Sequence, residues 1–571
     1  MKASRLLLEM LRGYEVSHVF GLPGETTLPL YEEWLDFPEI RHVVARDERS
    51  ASFMAEGYAK FSFKPGVCEA PSVGATHVLP GCAEAYKGAT PIVFLVSDIP
   101  LDLEPRNMLT GLDQSSLFSG ITKESLTLVK PQQVSHLVRR AFRVATTGRP
   151  GPVHIRLPMD VLGREAGGAV LPPQREYASY PGARPVADPQ AVFEALRLLG
   201  EAERPVLVCG QGVLLSQAWD EVVGLAEAFA VPVGTTINGK GGFPEGHPLS
   251  LGVVGARGGT ETSNRFVQEA DLVFFVGCST DSAATDAWRV PPVGGGAKVV
   301  QLDISPAEAG NNYASHVTLV GDAKATLGWM LELLEDPTPR FRDSPRVKAL
   351  AEAREQHQRY VEEALRNQGP GIHPLALVKT LENTLPRDGC MVMDVGTAAI
   401  YTSTYFRVRE AGRRLAYNFA MGSLGYALPA AMGASLARPG CPVASLVGDG
   451  SFGLVAAELE TLARYQLPVT VVLINNGGYG WIRAEWLLSH GERYVDFATN
   501  FNPVDHVKVA EGFGVEAARA ESPGDLEQLG GMLGSGEPRL LEVVMEPEDK
   551  LIPPVPKWIK AAQRKGLPHL R

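Results

Sequence analysis

Residues 442–480, PVASLVGDGSFGLVAAELETLARYQLPVTVVLINNGGYG, decide the fold of this chain. The stretch is predicted to form a buried strand, a tight turn, an amphipathic helix and a second buried strand that ends in another polar turn. This succession is one βαβ crossover, whose two strands run in the same direction. The turn with Asp449 and the turn with Asn475 and Asn476 are therefore expected at the same carboxyl edge of a parallel sheet, where ligands bind.

A metal and phosphate site is predicted at this edge. The crossover brings the Asp449 carboxylate and the Asn476 amide oxygen to a single ion, and a site with one carboxylate suits Mg²⁺. Gly448 and Gly450 let the backbone approach a ligand, and a helix beginning near Ser451 offers N–H groups to a diphosphate. A lone GDG would be only a strand-ending turn, but here the strand, helix, strand and NN pair all fall in place.

Buried runs followed by helix-like segments recur along the chain, among them HVFGLPG, PIVFLVSD, RPVLVCGQG, LVFFVGC and CMVMDVG. This alternation predicts an α/β protein with doubly wound parallel sheets. Residues 164–188 and 335–345 have no such period and are interpreted as linkers. We therefore expect three consecutive α/β domains and a short solvated tail, at residues 1–165, 185–335, 365–550 and 551–571.

The composition is typical of a globular protein. The 571 residues are 45% apolar and 21% charged, and this length supports several hydrophobic cores. A net charge of -11 gives no electrostatic reason to bind nucleic acid. The sequence predicts no membrane span and no signal peptide, because Glu9 and Arg12 interrupt the first apolar run. Six separated cysteines suggest neither a zinc site nor a disulfide framework, so a cytoplasmic location is expected.

The arrangement of residues 442–480 closely resembles the thiamine-diphosphate motif. HVFGLPG, GATHVLPG and GRPGPVHIRLP occur earlier in the chain in the order typical of that superfamily, so the resemblance spans nearly the whole sequence. It is closest to acetolactate (acetohydroxyacid) synthase large subunits. The resemblance implies a cofactor, thiamine diphosphate, and a Mg²⁺ ion bound by Asp449, the side chain of Asn476 and the backbone carbonyl of Gly478.

Two further segments resemble cofactor-binding parts of the family. MDVGTAAIY corresponds to its phosphate-contacting turn, although Thr397 is equally suited to cap a helix. In NFAMGSLGYALPAAMGASL, the carbonyl of Gly422 would accept a hydrogen bond from the aminopyrimidine and Leu424 would wedge between the cofactor's rings. Without the resemblance, Leu424 would be an ordinary core residue. The expected cofactor-binding residues are Gly396, Thr397, Ala398, Gly422, Leu424, Gly448, Asp449, Gly450, Ser451, Asn476 and Gly478.

Glu48, in IRHVVARDERSASFMAEGYAK, is the catalytic candidate. It lies where the family has a glutamate that hydrogen-bonds the aminopyrimidine ring, although Asp47 precedes it where a histidine is usual. If the segment stood alone, Glu48 would be interpreted as complementing the dipole of the following helix. In the family the N-terminal domain, which corresponds to residues 1–165 here, meets the metal-binding domain of a second copy across a dimer interface. The resemblance therefore implies a homodimer or homotetramer.

The sequence of the central unit resembles that of acetohydroxyacid synthases most closely. The corresponding domain of those enzymes carries FAD, whereas some relatives hold ADP or no nucleotide. FAD is therefore a possible cofactor here, although the sequence departs from the family at two places: MHGT is replaced by ARGGT, and GARFDDR by GCSTDSAAT. Positions that bind the substrate in the family also differ in this chain. Leu109-Thr110-Gly111 replaces the family's FQE turn, and Glu485 stands where the family has a tryptophan. His77, Thr110 and Arg483 are the substrate-binding candidates, and surface roles for them remain open.

These features predict a 2-oxo acid decarboxylase or carboligase, acetolactate synthase-like, with a small oxo acid or acyl substrate. Alternatives within the superfamily are an acyl-CoA lyase, a sulfoacetaldehyde acetyltransferase and a dione hydrolase. A different class, a non-catalytic cofactor-binding subunit, would usually have lost one of the functional residues. Glu48, Asp449 and Asn476 are all present, which favours an enzyme.

Overall fold

A computed structural model describes residues 1–334, 344–366 and 371–570. Its strands form three six-stranded sheets in chain order, and every strand pair is parallel. The predicted α/β class with three doubly wound sheets is therefore confirmed. Most of the 335–345 stretch interpreted as a linker lies outside the described residues. No helix in the described ranges is long and apolar enough to cross a membrane.

The first sheet has the order β2-β1-β3-β4-β6-β5. Its strands are β1 His18–Gly21, β2 Arg41–Val44, β3 Gly66–Ala70, β4 Ile92–Asp98, β5 Glu124–Thr127 and β6 Val153–Pro158. The helices of this unit are α1 Ala3–Gly13, α2 Leu28–Trp34, α3 Glu48–Ser62, α4 Leu79–Lys87, α5 Gln114–Ser119, α6 Val134–Thr146 and α7 Met159–Leu162.

The second sheet has the order β12-β11-β10-β7-β8-β9. Its strands are β7 Pro205–Cys209, β8 Val233–Thr235, β9 Ser250–Val253, β10 Leu272–Val276, β11 Lys298–Asp303 and β12 Val317–Val320. The helices are α8 Pro189–Glu201, α9 Gln211–Ser216, α10 Trp219–Phe229, α11 Glu261–Gln268 and α12 Ala323–Glu332, and α13 Pro345–Arg366 leads towards the third unit.

The third sheet has the order β14-β13-β15-β16-β18-β17. Its strands are β13 Cys390–Met393, β14 Leu415–Tyr417, β15 Val443–Gly448, β16 Val469–Asn475, β17 Glu516–Ala520 and β18 Arg539–Val544. The helices are α14 Pro374–Thr384, α15 Thr397–Tyr405, α16 Ala427–Ala437, α17 Asp449–Phe452, α18 Glu458–Tyr465, α19 Gly480–Ser489, α20 His506–Gly512, α21 Pro523–Leu529 and α22 Pro556–Lys565.

The interpretation of residues 551–571 as a solvated tail is wrong. The segment forms α22, and its Trp558 side chain packs against Trp481 with ring centroids 4.1 Å apart. Trp558, Ala562 and Leu570 are all buried. The basic residues that suggested a solvated segment lie on the outer face of an amphipathic helix, whose apolar face covers α19.

The first and third units pack through a very close crossing of α3 and α16. A Cβ atom at Gly433 would lie 1.9 Å from the Met54 carbonyl oxygen, and one at Gly57 would lie 2.0 Å from the Ala430 carbonyl oxygen. Both obstacles are backbone atoms, so a side chain at either glycine would push the helices apart. The two glycines thus set the distance between the two units.

We expect Gly433→Ala to lower the thermal unfolding midpoint, because overpacking of a tight core typically costs about 1–3 kcal/mol. The matched control is Gly328→Ala in α12, where a Cβ would meet no atom within 4 Å. That control should raise the midpoint slightly, since alanine is favoured over glycine in helices by up to about 1 kcal/mol. A Gly433→Ala midpoint equal to the native one would contradict the close crossing.

Candidate cofactor site

The turns after β15 and β16 lie next to each other, as the spacing of the motif predicts. Gly448 pairs with Ile474 in the parallel register, so the chain leaves both strands at one edge of the third sheet. A cavity of about 420 Å³ opens at this edge. Its lining includes every residue expected to bind the cofactor: Gly396, Thr397, Ala398, Gly422, Leu424, Gly448, Asp449, Gly450, Ser451, Asn476 and Gly478.

The backbone around the cavity leaves room for a bulky anion. Gly396, at φ 97°, precedes α15, and a Cβ atom there or at Gly448 would meet no protein atom within 4 Å. Both glycines face open space at the cavity wall, so a phosphate can approach the backbone closely. The first residues of α15, Thr397 and Ala398, supply a helix amino end, which favours negative charge.

Three residues with oxygen donors suitable for Mg²⁺ line this cavity: Asp449, Asn476 and Gly478. Asp449 is buried, and burial raises the pKa of its carboxyl group, while hydrogen bonds from the N–H groups of Gly450, Gly478 and Gly477 act in the opposite direction. The Gly450 N–H donates to Asp449 Oδ1 over 2.8 Å. With the Asn476 amide oxygen and the Gly478 carbonyl, this set has the hard-oxygen chemistry that Mg²⁺ prefers.

Glu548 is a site residue that the sequence analysis missed. It lines the cavity and is buried, and Asn476 Nδ2 donates to both of its carboxylate oxygens over 2.8 Å. The Thr397 hydroxyl also donates to Glu548, so Thr397 does not use its side chain as a helix cap. These bonds fix the orientation of the Asn476 amide, whose oxygen accepts a hydrogen bond from the Gly478 N–H over 3.3 Å and has a second lone pair for a metal.

We expect Glu548→Gln to raise the Mg²⁺ concentration needed for half-maximal cofactor binding by about 10- to 100-fold, which is typical when a partner of a metal ligand is lost. A glutamine side chain has only one oxygen, so it cannot accept hydrogen bonds from Asn476 Nδ2 at both terminal atoms as the carboxylate does. The exposed Glu546, two residues earlier, gives the matched control Glu546→Gln. Identical Mg²⁺ titrations for the two variants would remove Glu548 from the metal site.

Asp394 is a second missed residue. It follows β13 directly and is fully buried, and its carboxylate accepts hydrogen bonds from the Tyr426 and Ala427 N–H groups over 3.0 and 3.1 Å. The Ser451 hydroxyl also donates to it. Burial raises the pKa of Asp394 to about 7. The carboxylate ties the start of α16 to the GDG turn and so shapes the cavity without lining it.

The catalytic candidate Glu48 lies outside this cavity. It is the first residue of α3, is 7% exposed, and its Oε2 lies 3.0 Å from His77 Nδ1. Glu48 stands beside Gly74, and the Thr110 hydroxyl is hydrogen-bonded to nearby Ser72 over 2.8 Å. The first unit therefore gathers Glu48, His77 and Thr110 at one edge of its sheet, but Glu48 does not line the cavity of the third unit within one chain.

Arg483, a substrate-binding candidate, does not line this cavity in one chain. Its guanidinium is buried and donates to the Asn476 and Gly477 carbonyl oxygens over 2.8 and 2.9 Å, and to Asn500 Oδ1 over 3.0 Å. The side chain turns from α19 back towards the loop after β16, and its donors hold that loop in place.

Comparison with known proteins agrees with this geometry. Three family descriptions match in order: "Thiamine pyrophosphate enzyme, N-terminal TPP binding domain" at residues 1–117, the central domain at 192–330 and the C-terminal TPP binding domain at 394–543. A probable acetolactate synthase large subunit of Methanocaldococcus jannaschii is 34% identical over 97% of this chain and 94% of its own length.

Two further relatives show the same extent of similarity. A probable acetolactate synthase large subunit of Methanococcus aeolicus is 31% identical over 97% of this chain and 94% of its own length. An acetolactate synthase of Arthrospira platensis is 34% identical over 90% of this chain and 88% of its own. The fold and site define an enzyme that makes or breaks carbon–carbon bonds with thiamine diphosphate. The chain belongs to the thiamine pyrophosphate enzyme family and is similar to acetolactate synthases.

Proposed function

We propose that this protein decarboxylates a small 2-oxo acid and transfers the remaining fragment to a second acceptor, with pyruvate as the first substrate to test. The observation that carries the proposal is one cavity lined both by the glycine turn before α15, which is suited to a phosphate, and by three residues with oxygen donors suited to Mg²⁺. The names of the relatives support the same reaction class. Thiamine diphosphate, when bound, supplies an electron sink for the negative charge left on the substrate carbon after CO₂ departs.

The residues of the cavity would share the work of holding that cofactor. Asp449, Asn476 and Gly478 would bind Mg²⁺, which in turn neutralises the diphosphate. Leu424 is half-buried on the cavity wall, where an apolar side chain can fix the relative orientation of two rings. Gly422 adopts φ 77°, which favours glycine, and would present its carbonyl to the aminopyrimidine.

We further propose that a second copy of the chain completes each site. Glu48 would hydrogen-bond the aminopyrimidine of a cofactor held by the partner, because it does not line the cavity of its own chain. Large apolar side chains are exposed beside both halves of the site. Val73 and Leu109 lie near Glu48, with 52% and 86% exposed, and Met421 and Ile482 line the cavity, with 55% and 45% exposed. Such apolar surface favours burial between two copies.

The central unit has a cavity of its own, separate from the one in the third unit. A cavity of about 610 Å³ opens where the strand order reverses between β10 and β7, and its lining includes Gly210, Gly212 and the buried Asp303. Burial raises the pKa of Asp303 to about 6. We propose that an adenine nucleotide, ADP or FAD, binds there, because such switch points with close glycine turns suit nucleotides. A flavin band in the visible spectrum of the purified protein would identify FAD, and its absence would leave ADP to be tested by calorimetry.

The function is tested by supplying pyruvate to the purified protein with thiamine diphosphate and Mg²⁺, and by measuring CO₂ and acetolactate together. Formation of both products would support an acetolactate synthase activity. Release of CO₂ with acetaldehyde would indicate a decarboxylase. If no 2-oxo acid is consumed although the cofactor binds, the proposal is wrong, and acyl-CoAs, diones and sulfoacetaldehyde are the next substrates. The six buried, unbridged cysteines favour a reducing compartment, and we propose the cytoplasm.

A further inference from the structure

A positively charged side chain reaches the cofactor cavity from the central unit. Arg257 lies in the loop between β9 and α11 and lines the cavity beside Trp481 and Ile482. Of the described residues that line this cavity, Arg257 is the only one with a positive charge, whereas Asp449 and Glu548 are acids. The cavity therefore contains one fixed cation that the binding of Mg²⁺ does not use.

Arg257 is held in place by stacking and by its backbone. Its guanidinium carbon lies 4.8 Å from the centroid of the Trp481 ring. Trp481 in turn packs against Trp558 of α22. Such cation–π contacts orient an arginine without using its hydrogen-bond donors. The loop itself is anchored because the Ala256 N–H donates to the Ala283 carbonyl over 2.7 Å.

The donors of Arg257 remain available for a ligand. Within the part of the chain that the structure describes, its guanidinium makes no hydrogen bond. Burial lowers the pKa of the Arg257 guanidinium, and the nearby carboxylates Glu485 and Asp286 act in the opposite direction. Asp286 is already paired with Arg289 over 2.8 Å. Glu485 is exposed to solvent, so its interaction with Arg257 is weakened by water.

We propose that Arg257 binds the carboxylate of the oxo acid acceptor and so selects anionic substrates. This inference rests on the proposed function. Mg²⁺ and helix N–H groups neutralise the diphosphate, so a carboxylate entering the apolar side of the cavity needs a cation of its own. A planar guanidinium forms paired hydrogen bonds with a carboxylate, and its stacking on Trp481 presets the geometry.

The test compares Arg257→Ala with the native holoenzyme by calorimetry. Oxamate, an unreactive analogue of pyruvate, is the carboxylate probe, and thiamine diphosphate with Mg²⁺ is titrated separately. We expect the Kd of oxamate, and the KM of any oxo acid that is consumed, to rise about 10- to 100-fold, as loss of a charge-assisted pair predicts. The Kd of the cofactor should change by less than about twofold, since Arg257 is not assigned to the diphosphate.

Two additional variants make the result specific. Arg257→Lys keeps the charge but loses the paired geometry, so its oxamate affinity should fall between those of the native protein and Arg257→Ala. Arg346→Ala removes another arginine stacked on an aromatic ring, Phe266 at 5.1 Å, which does not line the cavity. That variant should bind both ligands as the native protein does.

The outcomes separate this inference from the proposed function. Unchanged oxamate affinity in Arg257→Ala, or a native holoenzyme that binds no oxamate, would overturn the inference even if pyruvate is consumed. A loss of cofactor affinity equal to the loss of oxamate affinity would also overturn it, because Arg257 would then bind the diphosphate. If no oxo acid is consumed but oxamate binding still depends on Arg257, the carboxylate site stands and the reaction must be reassigned.

Discussion

Replacing Glu48 by glutamine is expected to lower turnover by about 10²- to 10⁴-fold, the range typical for loss of a group that acts in proton transfer. Glutamine matches glutamate in shape but cannot hold a proton between itself and the aminopyrimidine ring. Cofactor binding that depends on Mg²⁺ should survive, because the residues proposed to hold the metal and the diphosphate lie in the third unit. Turnover and the calorimetric Kd of thiamine diphosphate measure the two effects separately.

The competing explanation is that Glu48 only complements the dipole of α3. The matched control for that explanation is Glu261→Gln, since Glu261 is the exposed first residue of α11 and occupies the same helix position. A dipole contribution amounts to about 0.3–1 kcal/mol of stability and does not affect turnover. If both variants retain native activity and lose only a little stability, Glu48 has no catalytic role.

Replacing Asp449 by asparagine is expected to weaken thiamine diphosphate binding by on the order of 100-fold, because the only carboxylate among the three proposed Mg²⁺ donors is lost. Asparagine still accepts the hydrogen bond from the Gly450 N–H, so the turn itself should keep its conformation. Calorimetric titration of the cofactor at several Mg²⁺ concentrations measures the change. Native protein treated with EDTA should behave in the same way as the variant.

An exposed carboxylate provides the control for Asp449. Asp388 follows α14 and is exposed to solvent, so Asp388→Asn removes one charge without touching the cavity and should bind the cofactor as the native protein does. Native-like, Mg²⁺-dependent cofactor binding by Asp449→Asn would contradict the assignment of the metal site. The assignment would be contradicted equally if Asp449→Asn lost cofactor binding while cofactor binding by the native protein did not depend on Mg²⁺.

Much of the fold could be predicted because parallel strands are buried on both faces and stand out as continuous apolar runs. The same reasoning placed Asp449 and Asn476 together, since strands that follow one another in a βαβ unit end at the same edge. Glu548 and Asp394 lie at that edge too, after β18 and β13. They were missed because neither belongs to a recognisable motif, although the rule that acids after buried strands meet at one edge could have found them.

Other features depend on tertiary packing and could not be derived from local sequence. Whether Arg483 points to a substrate or back to its own loop depends on the turn of α19, which residue identity does not reveal. The positive charges of α22 suggested solvent exposure, but Trp558 buries that helix against Trp481. Likewise, Arg257 lies more than 200 residues before Trp481 in the chain, and only the folded structure brings the two together.

The central claim is that Glu48 of one copy and Asp449 of another form one site, and mixing two inactive variants tests it most directly. Glu48→Gln and Asp449→Asn would be unfolded together in equal amounts, refolded, and assayed with the oxo acid that the native protein consumes fastest. Random pairing makes about half of the dimers mixed, each with one native site, so about a quarter of native activity should return. Activity no higher than the sum of the separate variants, with mixed dimers demonstrated by mass spectrometry, would contradict a site shared between copies.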